Sequence, residues 1–147
     1  MIRKDKGFTL IELLVVIAII GILSSVILAS LNTARGKGND AKVKAQLSGL
    51  RASAEIYYDN QIPPSYGITA STCTTASSMF VDATSGMLQY ATQANYPTNA
   101  TLSCFSDAGA YAVSALLPGV GGTNSWCVDS VGNSMLRATP VGSTVCQ

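Results

Sequence analysis

The stretch from Phe8 to Leu31 constrains this chain more than any other. It reads FTLIELLVVIAIIGILSSVILASL, and after Glu12 no charge follows until Arg35. A run of about 20 apolar residues, rising about 1.5 Å each, crosses the roughly 30 Å hydrocarbon core of a bilayer. In lipid a helix satisfies its own backbone groups, so the run is expected to be helical. Gly21, Ser24, Ser25 and Ser30 present small surfaces suited to close helix–helix contact. Glu12 is the discordant residue. A charge in such a run costs about 2.5 kcal/mol or more at the bilayer centre and less near the interface, so a compensating partner is expected. A first-turn acid gains only about 0.3–1 kcal/mol from the helix dipole, too little to offset an apolar setting.

Ahead of the run lies a short basic leader, MIRKDKG, ending in Gly7. The order is basic leader, glycine, aromatic Phe8, Thr9, two apolar residues, Glu12, then a long apolar helix. In this the segment KGFTLIELLVVIAIIGIL resembles the N-terminus of type IV prepilins and of the pseudopilins of type II secretion. The close match covers Lys6 to Leu31, with looser similarity to Tyr58; the C-terminal half is similar only in general style. The resemblance implies that a prepilin peptidase cuts between Gly7 and Phe8 and methylates the new amine of Phe8. It implies that Glu12 pairs with the Phe8 amine of a neighbouring subunit. Such a buried pair specifies register more than it adds stability. The implied partners are copies of the same chain in a helical filament, the peptidase, an assembly platform with its motor ATPase, and the bacterial inner membrane.

The chain has 147 residues, enough for one domain, and a formal net charge of +1. Cleavage after Gly7 leaves six basic against seven acidic side chains, a charge of −1. Neither value points to nucleic-acid binding by bulk charge. Arg35, Lys37, Lys42, Lys44 and Arg51 cluster after the span. They read as the solvated collar of a helix leaving a membrane, or as contacts for anionic lipid heads or acidic faces of neighbouring subunits. Both flanks of the span are basic, so charge alone does not orient it. The cytoplasmic cleavage that the resemblance implies places the N-terminus inside. The four cysteines beyond the span then lie in an oxidising compartment. The leader is not an ordinary secretory signal, because the implied cut precedes the apolar segment and leaves it on the mature chain. The product is expected in the inner membrane first, then in a cell-surface or periplasmic filament.

Past Leu31, Val43, Leu47, Leu50, Ala54 and Tyr57 fall on one helical face. The stripe predicts packing on the chain's own sheet. Gly36 and Gly38 cost about 1 kcal/mol each relative to Ala in a helix, so a soft point is expected at Gly36–Asn39 within one helix from Phe8 to Tyr58. At about 1.5 Å per residue that helix is roughly 75 Å long. Ile62-Pro63-Pro64 ends it. Residues 68–78 read as a loop. Residues 79–94 predict a short helix with Phe80, Met87, Leu88 and Ala91 on its apolar side. Residues 95–103 read as turns around Pro97. Residues 110–117, 125–129 and 134–139 predict strands, joined by the glycine-rich connection 118–124 and the turn Val131-Gly132-Asn133. The expected class is α+β and type IV pilin-like, a long helix on a small antiparallel sheet. The expected organisation is leader 1–7, span 8–34, amphipathic continuation 35–60 and head 61–147.

Four cysteines, Cys73, Cys104, Cys127 and Cys146, allow three complete pairings, and the sequence does not choose among them. Proximity in the chain favours Cys73 with Cys104 and Cys127 with Cys146; free buried thiols are the alternative. Metal binding is not expected, since there is no histidine and no C-x-x-C. Asp107 and Asp129 read as lone carboxylates, and no EF-hand spacing supports a calcium site. Without histidine the commonest general base is absent. Gly119-Val120-Gly121-Gly122 lacks the lysine and helix of a phosphate loop. No catalytic residue and no cofactor are expected. The favoured reading is a pilus subunit, the runner-up a type II secretion pseudopilin. A membrane-anchored enzyme or receptor is the remote third.

Overall fold

The computed structural model describes residues 7–147, so the expected leader lies outside the described residues except for Gly7. Helix α1 runs from Leu10 to Asp59 and α2 from Met87 to Ala91. Strands β1 (Leu102–Ser106), β2 (Tyr111–Leu116), β3 (Ser125–Asp129) and β4 (Ser134–Arg137) follow, and single 3-10 turns occupy Met79–Val81, Gln93–Asn95 and Pro118–Val120. The chain divides into two compact units, one reaching Arg35 and one spanning Gly36–Gln147. The first unit contains the apolar part of α1, long and apolar enough to cross a membrane and nowhere buried within the protein.

The second unit is the head. Its sheet has the order β1-β2-β3-β4, antiparallel throughout. Cys104 lies opposite Val113, and Val113 opposite Val128, so these side chains share one face. Against it pack Val43, Leu47, Leu50, Ala54 and Tyr57 of α1, all buried. The stripe therefore covers the sheet, as its spacing predicts. Truncating Leu47 or Leu50 to Ala at such a site costs about 2–5 kcal/mol. Met79, Phe80, Met87 and Ala91 close the end of this core. Tyr66 joins it with its ring centroid 5.0 Å from Tyr111 and 4.7 Å from Tyr58.

The other face of the sheet is also covered. Ala112 and Cys127 contact Val141 and Cys146 from the C-terminal segment, which lies over them. Three ties hold that segment: the Cys127–Cys146 disulfide, a 2.8 Å bond from Val141 N–H to Ser114 Oγ, and a 2.9 Å bond from Cys146 N–H to Asp129 Oδ2. A second disulfide, Cys73–Cys104, fastens the preceding loop to β1. Ala70 and Ser106 exchange two 2.9 Å backbone bonds beside it. One disulfide typically contributes about 2–4 kcal/mol to a small head.

Of four expectations, one holds and three need correction. First, the single long helix holds: α1 runs through Gly36–Asn39. The glycine at 36 serves a close approach instead: a Cβ there would stand 3.0 Å from Gly119 Cα. Conversely, a Cβ on Gly119 would land on the Gly36 carbonyl and 2.8 Å from Asp40 Oδ2. Asp40, buried on α1, accepts the Gly119 N–H at 2.7 Å and fixes the connection to the helix. Second, residues 79–94 do not form one helix. A 3-10 turn and α2 are separated by residues around Gly86, which sits at φ 82°. Third, Leu88 points away from the core and is 43% exposed. Fourth, residues 102–103 belong to a strand rather than to turns, giving four strands where three are expected.

Candidate processing and assembly site

Gly7, Phe8 and Thr9 precede the first helical residue and are exposed. A Cβ at Gly7 would meet nothing within 4 Å, and Phe8 is 84% exposed. Thr9 and Glu12 then start α1. Thr9 N–H donates to Glu12 Oε2 at 2.8 Å, and the Thr9 hydroxyl donates to the same oxygen at 2.7 Å. Glu12 N–H donates back to Thr9 Oγ1 at 3.3 Å. This is a capping box, in which two backbone donors with no helical partner are satisfied reciprocally. Losing such a cap costs about 0.5–2 kcal/mol. The spacing Thr-x-x-Glu before an apolar run is a local signal for it. The dipole argument alone overlooks it. Among the described residues both bonds fall on Oε2.

The rest of the segment is an apolar cylinder. Leu10, Ile11, Leu13, Ile17, Ile22 and Ile27 are exposed, as are their neighbours to Leu31. Two hydroxyls along it are turned onto their own helix: Ser25 donates to the Ile22 carbonyl at 2.8 Å and Thr33 to the Ala29 carbonyl at 3.3 Å. A continuous apolar surface of this size marks contact with lipid or with other apolar chains.

In the head, the basic collar is only partly free. Lys44 Nζ stands 4.4 Å over the Trp126 ring, a cation–π contact. Arg51 donates to Ser134 Oγ at 3.1 Å. Arg35, Lys37 and Lys42 remain exposed. The two aspartates that read as lone carboxylates have structural partners. Asp107 Oδ1 accepts the N–H groups of Gly109 and Ala110 at 2.8 Å each, closing the β1–β2 turn. Asp129 is fully buried and accepts from Asn133 N–H, Asn133 Nδ2 and Cys146 N–H. Burial pushes its carboxyl up, and these donors more than reverse that, holding it below the ordinary 3.8. Among the described residues, no three His, Cys, Asp or Glu side chains gather as metal ligands.

Residues 2–28 match the family described as the prokaryotic N-terminal methylation motif. The type IV wide pilus major component PilA4 of Thermus thermophilus is 51% identical over 55 residues, covering 37% of this chain and 42% of that protein. The type II secretion system core protein G of Klebsiella pneumoniae is 34% identical over 55 residues, 37% of this chain and 39% of that protein. The chain thus covers less than half the length of either relative. The type IV major alpha-pilin of Moraxella bovis is 32% identical over 115 residues, 78% of this chain and 70% of that pilin. No solved structure matches the chain.

Proposed function

The chain belongs to the type IV pilin and type II secretion pseudopilin family, and from that premise we propose that it is a prepilin, the precursor of a structural filament subunit. The observation that carries the reading is the exposed Gly7–Phe8 bond directly ahead of the capped, fully exposed apolar segment of α1. Prepilin peptidase cuts after Gly7 and methylates Phe8. The precursor rests in the inner membrane with its N-terminus inside. The assembly platform and motor ATPase then move the apolar segment from lipid into a bundle of its own kind. Heterologous contacts that do not close give an open helical filament. Glu12 keeps Oε2 for its own cap and offers Oε1 to the Phe8 amine of the next subunit. Organisation follows function: leader 1–7, span and filament core 8–34, amphipathic continuation 35–60, head 61–147.

A pilus is favoured over a secretion pseudopilus because the similarity to the Moraxella major pilin extends through most of the head, whereas that to protein G of Klebsiella stops at 37% of the chain. No enzymatic step is assigned to the protein. Electron microscopy of sheared surface fractions tests the reading. Cells expressing the chain with an active peptidase show filaments containing it, and peptidase-deficient cells show none. Filaments of unchanged composition without the peptidase contradict it.

A further inference from the structure

The head is charge-polarised along its own part of α1. Lys37 and Lys42 are exposed at the Gly36 end of that part. Toward the same end lie Lys44, over the Trp126 ring of β3, and Arg137, opposite Ser125 at the start of β3. The carboxylates gather at the other end. Glu55 and Asp59 lie in the last turns of α1 and are exposed. Asp107 closes the β1–β2 turn, where the Ala108 carbonyl accepts the N–H of Tyr66, whose hydroxyl donates to Glu55. Asp82 accepts the Ser85 N–H just ahead of Gly86, and Gly86 stands against Ser53. Asp129 belongs to the turn of Gly132, which faces the Arg51 guanidinium. Asp40 is the exception, buried and engaged by the Gly119 N–H.

Three of these charges are available to a partner. Lys42 and Asp59 make no hydrogen bond or ion pair among the described residues, and Glu55 uses only Oε1, for Tyr66 at 3.0 Å. Glu55 and Asp59, one helical turn apart, face the same way. At about 100° per residue, Lys42 lies about 100° to one side of the buried Val43–Tyr57 stripe, and the two acids lie about 120–160° to the other. Lys37 and Lys44 fall on the acids' own flank. The two flanks therefore differ in charge. At about 1.5 Å per residue, Lys42 stands about 20 Å along the axis from Glu55 and about 26 Å from Asp59. No lysine side chain spans that distance, so the pair does not close within one chain.

We propose that Lys42 of one subunit pairs with Glu55 and Asp59 of a second copy, displaced by about 20–26 Å along the helix axis. The occupant follows from the charges: one chain carries both halves of the pair, on different flanks and at different heights. An anionic lipid surface answers the cationic end alone and leaves the acids without a counterpart. Contact between two different flanks is heterologous, so it propagates rather than closing a dimer. Exposed ion pairs contribute little affinity. They steer the approach and exclude registers in which like charges meet. The pair therefore sets the axial offset between heads, while the apolar segments supply the association. This rests on the filament reading above and names one of its head contacts.

The test treats filaments of the full chain with a water-soluble carbodiimide, which joins a lysine amine to a carboxylate in direct contact without a spacer. Linked peptides are mapped by mass spectrometry. A link from Lys42 to Glu55 or Asp59 cannot form within one chain across about 20 Å or more, so it reports a contact between copies. Such links are expected. Filaments that give none, or whose links to these acids run only from Lys37 or Lys44, overturn the contact. Charge exchange reads it a second way. Lys42→Glu and Asp59→Lys change exposed positions, so precursor levels in the membrane stay at wild type. Each alone lowers filament yield about tenfold, the equivalent of about 1.4 kcal/mol, and the double variant recovers most of it. Single variants at wild-type yield, or a double without recovery, overturn the contact. Wild-type cells without filaments sink the filament reading itself.

Discussion

Thr9 and Glu12 hold each other across the first turn of α1, with the threonine N–H and hydroxyl both on Glu12 Oε2 at 2.8 and 2.7 Å. The carboxylate therefore has a task within its own chain besides any pairing between chains. Glu12→Gln separates the two, because glutamine closes a capping box as glutamate does but carries no charge. The expected outcome is a Gln variant with its helix start intact and filament yield lowered by about tenfold or more, the loss of about 1.4 kcal/mol per subunit contact. Glu12→Ala loses both functions, and Thr9→Ala only the cap, about 0.5–2 kcal/mol. Comparing sheared-filament yield with membrane precursor level checks all three.

Two glycines at the neck of the head, Gly38 and Gly119, are predicted to behave oppositely. A methyl group on Gly38 would meet nothing within 4 Å, so Gly38→Ala stabilises the helix by about 0.5–1 kcal/mol. Gly119→Ala drives a Cβ onto the Gly36 carbonyl and costs about 1–3 kcal/mol. Thermal unfolding of the full chain in detergent measures both.

Asp129 gives the head a defined acid limit. Its folded carboxyl titrates below 3.8. A lowered folded value means stability that is fully present above the unfolded pKa and lost as pH falls through the folded one. The head is predicted to hold its C-terminal segment above pH 3.8 and to loosen below it. Asp129→Ala leaves three donors short of an acceptor and costs about 1–3 kcal/mol at neutral pH. Denaturation midpoints at pH 7 and pH 3 check the sign.

Tyr111 Oη is buried and makes no hydrogen bond of good geometry among the described residues, with the Arg51 guanidinium beside it. Tyr111→Phe removes an unsatisfied polar atom while keeping the ring's 5.0 Å edge contact with Tyr66. It is predicted to be neutral or mildly stabilising, since the desolvation cost of the hydroxyl, about 1–3 kcal/mol, goes with it. The same unfolding assay reads it.

Local periodicity made much of this fold legible. The unbroken apolar run gives the first part of α1, and the Val43–Tyr57 stripe gives the face that covers the sheet. β2 and β3 are legible as β-rich runs between glycine turns. β1 is not, because its five residues, Leu102-Ser103-Cys104-Phe105-Ser106, are few, include two serines and follow directly on the turns around Pro97, so no apolar–polar alternation stands out. Gly36 reads locally as a helix breaker, and only its distant neighbour Gly119 explains it. Asp40 and Asp129 are likewise opaque, since their partners come from other elements. The candidate processing segment is the reverse case: the proposed Gly7–Phe8 junction, Thr9 and Glu12 lie within a few residues of one another, so sequence alone displays them.

The measurement that tests the central claim most directly is mass spectrometry of the N-terminal peptide, taken from cells with an active prepilin peptidase. The account predicts a peptide beginning at Phe8 and carrying one added methyl group. A peptide that retains Met1 to Gly7 in those cells contradicts it and leaves a membrane-anchored chain that is not a processed filament subunit.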